Sequence, residues 1–439
     1  MKITGLNALY KTFTGLFIIL SLSHTAFAKD IVVGSPGNHN DIQPAIQKAV
    51  DEALDGDRVI LPEGEFVINA SVQITKFISF LGKGFKKTIL YRSEAVPDSV
   101  FSQRDWRYIF FFNIQNDKPS NILVSGICFR GKKPAVAFRG AGSRASTIGV
   151  RMFECVDFVI ENCRFEYFGN AGISVRHKDT LARGLIRKNE FYYNARFGLG
   201  YGVVITSSGK QWVDDPQFGS SNFIFIEDNV FDYHRHSVAS SGCALFVVRY
   251  NKILNNIAAS GGHAIDMHEA RPGNGDAFGT RAMEAYNNIL INNTYLNNIP
   301  IQKENRQDTA NKLETAGFGV RNGDALVYNN TVKGYRYAVR LSNWYLGNTQ
   351  QPYPVVYGPG YKSGKQFGPE HSGSIPPQSD GDVFIWDNKN SPLPDDATDS
   401  QSSFSNEKPE WWKEGRDYHL APKPRYKPYP YPYPVSVNK

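Results

Sequence analysis

An asparagine that precedes an apolar or aromatic position recurs along the middle of the chain, and this repeat constrains the fold more than any other feature. It occurs in segments such as KNEF at 188–191 and YNKI at 250–253. The repeated asparagines are Asn162, Asn189, Asn229, Asn251, Asn288 and Asn330, at intervals of 27, 40, 22, 37 and 42 residues. A coil of ~20–29 residues with occasional longer loops produces such intervals. The repeat therefore predicts a solenoid in which asparagines stack between adjacent coils and the following Phe or Ile packs inward.

A second short strand follows each asparagine segment after a turn, and its central residue is always Val or Ile. The triplets are SVR at 174–176, VIT at 204–206, SVA at 237–239, AID at 264–266, GVR at 319–321 and AVR at 338–340. Because side chains alternate between the two faces of a strand, the last residue of each triplet points outward. These residues are Arg176, Thr206, Ala239, Asp266, Arg321 and Arg340. At ~4.8 Å between coils, we expect them to form one column on one surface.

An amphipathic helix precedes the repeats. Asp41 can cap this helix, and apolar residues follow at helical spacing. They are Ile42, Ala45, Ile46, Ala49, Val50, Ala53 and Leu54. Short alternating strands separated by turns follow over residues 58–82. Such a helix is expected to cover the open end of the solenoid, where a terminal coil would otherwise expose unpaired backbone groups.

The stretch IQPAIQKAVDEALDGDRVILPEGEFVI, followed by FLGKGFKKTIL, resembles the N-terminal cap and first coils of the pectin-lyase-like right-handed parallel β-helices. The resemblance extends to about residue 345. It implies an all-β fold, a right-handed parallel β-helix with an N-terminal capping helix, over residues 29–349. It also implies a secreted protein that acts on polysaccharide.

The C-terminal residues 350–439 are rich in Pro, Gly and Tyr, and we expect them to be irregular with one strand at 382–386. Proline alternates with Tyr, Lys and Arg at 423–434, which favours an extended polyproline conformation. This segment could lie along the side of the solenoid, contact a cell wall or have no specific role.

Residues 1–28 have the pattern of a secretory signal. Lys2 and Lys11 provide the positive segment, residues 16–22 the apolar core and residues 26–28 the small-residue cleavage site. Removal of this segment lowers the formal charge from +7 to +5, because it contains two lysines and no acidic residue. We therefore expect a secreted or periplasmic protein without a membrane span after cleavage; an uncleaved anchor is the alternative.

The composition limits the partners of the protein. The mild charge permits an acidic substrate, and the lack of a Lys/Arg-rich run excludes nucleic acid as a partner. The four cysteines, Cys128, Cys155, Cys163 and Cys243, are too few for a disulfide scaffold and lack zinc-site spacing. We expect them to be buried thiols, with one disulfide as the alternative. The sequence does not determine the oligomeric state, for which a monomer is the expectation.

The densest polar cluster comprises FDYHRHSVASSG at 231–242 and GGHAIDMHEARPG at 261–273. His236 and His263 are 27 residues apart, which is one bare coil, so they are expected to stack. Asp266 lies in the predicted outward column and His268 follows on the same face. We expect Asp266, His268, His236 and His263 to be catalytic. The expected substrate-binding residues are Arg321, Arg249, Arg271, Arg340 and Arg176.

The first interpretation of this cluster is a lyase, or a related epimerase, that acts on a uronic-acid polysaccharide. β-Elimination requires a cation for the carboxylate, a base for the C5 proton and an acid for the leaving oxygen. Arg321 or Arg271 could bind the carboxylate, and His268 or His236 could be the base. Asp266 could orient a histidine or bind a divalent cation.

Two other chemistries and one non-catalytic role stay open. A glycoside hydrolase would pair Asp266 with Glu269 or Glu284 as acid and base. A divalent metal could be bound by His236, His263, Asp266 and His268. The two stacked histidines could instead be structural, and solenoids also serve as carbohydrate-binding or surface proteins without catalysis.

Overall fold

The computed structural model describes residues 28–101, 103, 106–114, 118–132, 146–178, 183–195, 199–207, 213, 215–256, 263–268, 279–292, 314–321, 323–341, 383–391, 402–406 and 414–434. Residues 1–27 of the predicted signal lie outside the described part. Within that part, no helix is long and apolar enough to cross a membrane.

Three sheets run the length of the molecule. Sheet 1 contains β1 (Asp30–Val32), β2 (Arg58–Ile60), β5 (Ser79–Leu81), β8 (Leu123–Ser125), β11 (Phe158–Glu161), β14 (Gly184–Arg187), β17 (Ile224–Glu227), β20 (Leu245–Arg249), β23 (Ala282–Tyr286), β26 (Asp324–Tyr328) and β29 (Val383–Trp386). Sheet 2 contains β3 (Gly64–Val67), β6 (Thr88–Tyr91), β9 (Cys128–Arg130), β12 (Arg164–Glu166), β15 (Glu190–Tyr192), β18 (Val230–Asp232), β21 (Lys252–Leu254), β24 (Ile289–Ile291), β27 (Thr331–Lys333) and β30 (Lys389–Ser391). Sheet 3 contains β4 (Val72–Ile74), β7 (Tyr108–Asn113), β10 (Ile148–Phe153), β13 (Ala171–Arg176), β16 (Tyr201–Thr206), β19 (His236–Ser241), β22 (His263–Met267), β25 (Glu314–Val320), β28 (Tyr335–Leu341) and β31 (Ser402–Asn406).

Every strand pairs in parallel with the strand of the same sheet in the next coil, as in β11 with β14 and β14 with β17. From β11 onward, each coil visits sheet 1, sheet 2 and sheet 3 in that order. This arrangement is the right-handed parallel β-helix that the sequence predicts. Because all backbone hydrogen bonds of the sheets run between coils, each coil depends on its neighbours.

A ladder of asparagines follows the turns between sheet 1 and sheet 2. Asn229 is representative: its Nδ2 donates to Asn251 Oδ1 (3.0 Å), and its Oδ1 accepts the backbone N–H of Asn189 (3.0 Å). The members are Asn189, Asn229, Asn251, Asn288, Asn330 and Asn388. These contacts satisfy buried backbone groups of the turns, as the repeat predicts.

Asn162 does not belong to this ladder, although the sequence predicts it as the first member. The N–H that bonds to Asn189 Oδ1 is that of Cys163 (2.9 Å). Asn162 lies one position earlier in the turn, with φ of 52°, and the equivalent residues Lys188 and Asp228 have φ of 53° and 57°. Asparagine is one of the few residues that adopt this left-handed conformation readily, so its presence there reflects the turn.

The interior is filled by stacked apolar side chains. In sheet 2, Phe165 stacks on Phe129 and Phe191 with ring centroids 5.1 and 5.2 Å apart, and Phe191 stacks on Phe231 at 4.6 Å. These phenylalanines are the inward residues that the repeat predicts. The four cysteines are buried and unpaired, so they pack as small apolar side chains.

The helix α1 (Gln43–Glu52) lies at the N-terminal end and buries Ile46, Ala49 and Val50. Asp41 accepts the backbone N–H of Gln43 (3.0 Å) just before the first turn, which satisfies one of the free amides at the helix start. Leu54 is 69% exposed because it follows the end of the helix. A second, shorter helix, α2, spans Asp98–Phe101.

The β-helix extends beyond the predicted boundary at residue 349. The strands β29, β30 and β31 pair with β26, β27 and β28 and form a further coil. The segment around Tyr418 and His419 then covers the C-terminal end, since Ile385 N–H donates to His419 O (2.9 Å) and Tyr418 joins the core. The Pro/Gly-rich sequence before β29 hides the repeat, and pairing with the preceding coil organises the three strands.

Candidate functional site

The predicted site lies on the outer face of sheet 3. In β22, the side chains of Ile265 and Met267 belong to the interior core. Alternation therefore directs Asp266 to the outer face. A separate apolar cluster of Tyr108, Ile148 and Ala171 occupies the same outer face nearer the N-terminal end.

The predicted single column is two adjacent columns, and this corrects the sequence alignment. Ala239, Asp266, Gly319 and Arg340 occupy equivalent positions in successive strands. Arg176 is equivalent to Thr206 and then Ser241, two residues further along the strand. Arg321 follows β25 and donates its N–H to Met267 O (3.2 Å), which places it beside the second column. A slip of two residues preserves the facing of a side chain, so alternation alone could not detect it.

Asp266 and Arg321 form a buried ion pair that joins the two columns. Arg321 Nε donates to Asp266 Oδ1 (2.9 Å), and Arg321 Nη2 donates to Asp266 Oδ2. The Asp266 side chain is 0% exposed and that of Arg321 is 8% exposed. Burial alone would raise the pKa of Asp266, but the Arg321 guanidinium and the hydrogen bond from His263 hold it well below its ordinary value.

His263 is the second partner of Asp266. Its Nδ1 lies 3.3 Å from Asp266 Oδ1. Because a carboxylate only accepts, Nδ1 carries the proton, and Nε2 of the neutral ring holds a lone pair. This Nε2 is buried and has no hydrogen-bond partner among the described residues. Burial lowers the pKa of His263, although Asp266 opposes the shift, so the ring is neutral at pH 7.

Gly319 makes room for this arrangement. A Cβ atom at position 319 would lie 2.3 Å from Cγ of the His263 ring and 2.4 Å from its Nδ1. The ring of His263 therefore occupies the space above the one residue of the column that lacks a side chain. Any larger residue would displace the ring from Asp266.

His236 lies in the position of β19 that corresponds to His263 in β22, as the interval of 27 residues predicts. Its Nδ1 donates to the backbone O of His263 (2.5 Å), and its ring stacks on Tyr201 with centroids 5.8 Å apart. Its Nε2 is 3.9 Å from Asp266 Oδ2. Burial and the nearby Arg235 lower the pKa of His236 well below its ordinary value.

Three other predicted site residues lie on this face of sheet 3. His268 is half-buried in the second column, next to Arg321. Arg340 lies two coils beyond Asp266 in the first column, and its charge lowers the pKa of His263. Arg176 is exposed, three coils before His268. Arg271 lies outside the described residues.

Two predicted contributors belong to another sheet, which corrects their assignment. Arg249 ends β20 in sheet 1, where its Nη2 is 2.7 Å from Glu227 Oε2. Glu284 lies in β23 of sheet 1 and accepts the N–H of Gly219 (2.7 Å) and the hydroxyl of Tyr426. Neither residue can act with Asp266, because both lie on a different face of the β-helix. Glu269, the other candidate partner, lies outside the described residues.

Comparison of the chain with known proteins concerns its fold. No family model matches, and no curated protein matches its sequence. The chain is similar to ORF18 of Geobacillus virus E2, at 12% identity with a TM-score of 0.48, over 86% of this chain and 60% of that one. It is also similar to an alginate lyase from Paenibacillus sp. str. FPU-7 (11% identity, TM-score 0.47, 89% and 99% covered). An endo-xylogalacturonan hydrolase from Aspergillus tubingensis is a third such structure (11% identity, TM-score 0.49, 89% and 92% covered).

The three parallel sheets of the described residues establish by themselves that this chain is a parallel β-helix. The chain spans 60% of the length of the viral protein. The activities in these names belong to those proteins.

The predicted metal site is not formed by the described residues. Among them, no three His, Cys, Asp or Glu side chains are placed to hold a metal ion. Both Asp266 oxygens accept from Arg321, and Nδ1 of His236 donates to a carbonyl. The cluster is therefore a hydrogen-bonded network centred on a carboxylate.

Sequence reasoning missed two residues of this network. The sequence gives Gly319 no role beyond the first position of the triplet GVR, yet it provides the space for His263. Tyr201, which opens β16, covers His236 and accepts a hydrogen bond from Arg235 Nη1 (3.2 Å). The signal for Tyr201 was its place at the start of the strand, but only the register identifies it as the neighbour of His236.

Proposed function

We propose that this protein is a carbohydrate-active enzyme that cleaves a uronic-acid polysaccharide by β-elimination, with the outer face of sheet 3 as its active site. A C5 epimerase shares the first step and belongs to the same proposal. The base removes the C5 proton, the C4–O bond breaks, a C4=C5 double bond forms, and the leaving oxygen takes up a proton.

The observation that carries this proposal is the Asp266–His263 pair. The carboxylate orients the ring, so Nε2 is the basic nitrogen, and burial keeps the ring neutral. A neutral, oriented imidazole is a competent general base at pH 7. After proton transfer, the imidazolium would lie 3.3 Å from Asp266 Oδ1, which would stabilise it. His268, half-buried in the adjacent column, is the candidate acid.

The charge of this face supports an acidic substrate. Among the outward side chains described in the sheet 3 strands β10, β13, β16, β19, β22, β25 and β28, Asp266 is the acidic one, and Arg321 neutralises it. Arg151 and Arg176 add positive charge, and burial together with the neighbouring Arg176 lowers the pKa of Arg151. An anionic polymer would relieve this repulsion, and arginine suits bidentate binding of sugar carboxylates.

Elimination fits the site better than hydrolysis. A glycoside hydrolase requires two carboxyl groups on opposite sides of the scissile bond. Asp266 is fully buried with both oxygens engaged, and Glu284 lies on sheet 1. These contacts argue against the Asp266–Glu284 pair as acid and base.

Export is part of the proposal. The signal pattern of residues 1–28 is consistent with a polymer substrate outside the cell or in the periplasm. A monomeric state, which is the expectation from the sequence, belongs to the same proposal.

The test is incubation of the protein with polygalacturonate, alginate and glycosaminoglycans while the ultraviolet absorbance of unsaturated products is followed. We expect an absorbance increase with one of these polymers, and its loss in His263→Gln. The matched control is His234→Gln. The Nε2 of His234 is also buried and has no partner in the described part of the chain, but its ring contacts Asn194 O in the corner between sheets 2 and 3. New reducing ends without absorbance would refute elimination and support hydrolysis.

A second candidate function is binding of an acidic glycan without cleavage. It is favoured by the burial of His263, which is 4% exposed, whereas Arg176 on the same face is exposed. In that case His263→Gln would leave glycan affinity unchanged and Arg176→Ala would weaken it, and no polymer would give products.

A further inference from the structure

The Pro/Tyr-rich segment at 423–434, here called the tail, lies on the outer face of sheet 1, away from the candidate active site. Tyr429 and Tyr433 pack against the apolar cluster that contains Phe225 and Tyr286. Lys423 lies over the ring of Phe384, 4.9 Å from its centroid. The tail therefore follows one of the courses that its composition permits, along the side of the solenoid.

The tail crosses the strands of sheet 1 from the C-terminal end toward the middle. Tyr426 contacts Trp386 of β29 edge to face, with centroids 6.5 Å apart, and Tyr433 lies 4.7 Å from Phe225 of β17. Seven residues at a rise of ~3.1 Å span ~22 Å, which is close to the ~19 Å across four strand spacings. An extended chain therefore matches the distance without slack.

Arg249 anchors the backbone of the tail. Its Nη1 donates to Tyr429 O (2.7 Å) and its Nη2 to Pro430 O (2.9 Å), while Nε donates to Glu227 (2.8 Å). The guanidinium also lies over the ring of Tyr431, 5.3 Å from its centroid. Arg249 is 0% exposed, so these carbonyls are acceptors for a charge that water does not reach.

Three carboxylates of sheet 1 and its turns hold the tail as well. Glu284 accepts the hydroxyl of Tyr426, Asp228 accepts that of Tyr431 (2.6 Å), and Glu227 accepts the N–H of Tyr433 (3.0 Å). The Glu227 and Glu284 side chains are buried. Each buried carboxylate therefore receives a hydrogen bond from the tail.

The tail contacts the sheet at every third or fourth residue after a turn. Tyr426 N–H donates to Lys423 O (3.3 Å) and Arg425 has φ of 61°, so residues 423–426 form that turn. Beyond it, Tyr426, Tyr429 and Tyr433 are half-buried, and the residues between them are exposed. In an extended proline-rich segment the backbone carbonyls are free to accept hydrogen bonds. The ring of Tyr431 stacks on Tyr250 with centroids 3.6 Å apart. Aromatic side chains and a donor to backbone carbonyls are the usual elements of polyproline recognition.

We propose that the face of sheet 1 formed by Phe225, Arg249, Tyr250, Glu284 and Tyr328, here called the tail groove, is a recognition site for an extended Tyr/Pro-rich segment. The tail is its ligand within the same chain. The contacts are those of peptide binding, namely backbone carbonyls, tyrosine hydroxyls and stacked rings. The groove therefore retains a Tyr/Pro-rich segment that is not covalently attached to it.

The test begins with the full chain, which carries a protease site inserted after Ala421. Leu420, Ala421 and Pro422 are exposed, so the site is accessible. After cleavage, size-exclusion chromatography and mass spectrometry follow the tail, and circular dichroism follows the β-helix. We expect the cleaved tail to remain bound. An excess of a synthetic peptide of residues 423–434 should displace it, and a scrambled peptide of the same composition should not.

Tail variants test the individual contacts without altering the β-helix. Tyr426→Phe removes the hydroxyl that donates to Glu284, and we expect it to weaken retention of the cleaved tail. A hydrogen bond to a charged group corresponds to roughly tenfold or more in affinity. The matched control Lys427→Ala alters an exposed residue of the same segment and should leave retention unchanged. Immediate release of the tail from a folded β-helix would overturn the proposal. So would unfolding of the β-helix on cleavage, because the tail would then be an integral part of the fold.

Discussion

The outer faces of sheet 1 and sheet 3 each carry a fully buried carboxylate that accepts from an arginine. On sheet 1, Arg249 donates to Glu227, and the tail supplies two further acceptors. On sheet 3, Arg321 donates to Asp266, and the neighbouring His263 has a ring nitrogen without a partner in the part of the chain that the structure describes. The same pair of groups thus serves two different purposes.

The difference shows that a buried ion pair does not by itself mark a functional site. On sheet 1 the guanidinium is covered by a segment of the same chain that matches its donors. On sheet 3 the carboxylate orients the ring of His263, which we propose as the base. The pairing of a carboxylate with an oriented histidine, more than the charge, distinguishes the candidate site.

The largest expected effect comes from Asp266→Asn. It leaves the Arg321 charge buried without its carboxylate, which should lower the free energy of unfolding by about 3–5 kcal/mol and abolish lyase activity. Chemical denaturation and the absorbance assay measure the two effects.

The matched change on the other face is Glu227→Gln. It should also destabilise the protein, but the activity per folded molecule should be retained, because Arg249 lies away from the site. Equal activity losses in the two variants would contradict the distinction between the faces.

Acidification should destabilise the sheet 3 face. His236 and His263 have folded pKa values below the unfolded value of about 6.5. The unfolded chain therefore binds more protons than the folded one as the pH falls below about 6.5, and stability decreases by up to about 1.4 kcal/mol per pH unit for each histidine. Above that pH their contribution is constant.

Glu284 in the tail groove has the opposite effect on the pH dependence of stability. Burial raises its pKa in the folded protein, so its contribution to stability is present at low pH and is lost as the pH rises through the folded pKa. Urea unfolding between pH 7 and 5.5 distinguishes the effect of the two histidines on stability from that of Glu284. The pH dependence should weaken in His236→Gln/His263→Gln, and an unchanged slope in that variant would contradict the assignment.

Gly319→Ala tests the position of His263. A Cβ there would lie 2.3 Å from the ring, so the ring must move away from Asp266, with an expected loss of about 1–3 kcal/mol in stability and a large loss of activity. The control is Gly317→Ala in the same strand, where a Cβ would meet a Leu290 methyl at 3.0 Å and Ala338 O and a Val332 methyl at 3.1 Å, and does not meet the His263 ring. Similar activity in the two variants would show that the ring position does not matter.

The smallest effect on stability is expected for Arg176→Ala. Arg176 is exposed at the end of β13, so its loss should change the free energy of unfolding by less than about 0.5 kcal/mol. The KM for an anionic polymer should rise, and the salt dependence of binding should weaken, with kcat retained. An unchanged KM would remove Arg176 from the substrate path.

The sequence by itself determined the solenoid, because its causes are local. Alternation in short strands and the stacking of Phe165, Phe191 and Phe231 depend on residue types that recur at each coil. The same holds for the asparagines of the turns and for the apolar face of α1.

Only the tertiary structure decided the register and the partners. Alternation has a period of two, so it fixes the face of Asp266 and Arg321 but not their columns, and the long stretches of sequence before β23 and after β24 leave the register open. Composition likewise predicts that the tail is extended, but its place depends on the donors and rings that sheet 1 assembles from distant segments. A repeat determines which way a side chain points, and the packing of successive coils determines what it meets.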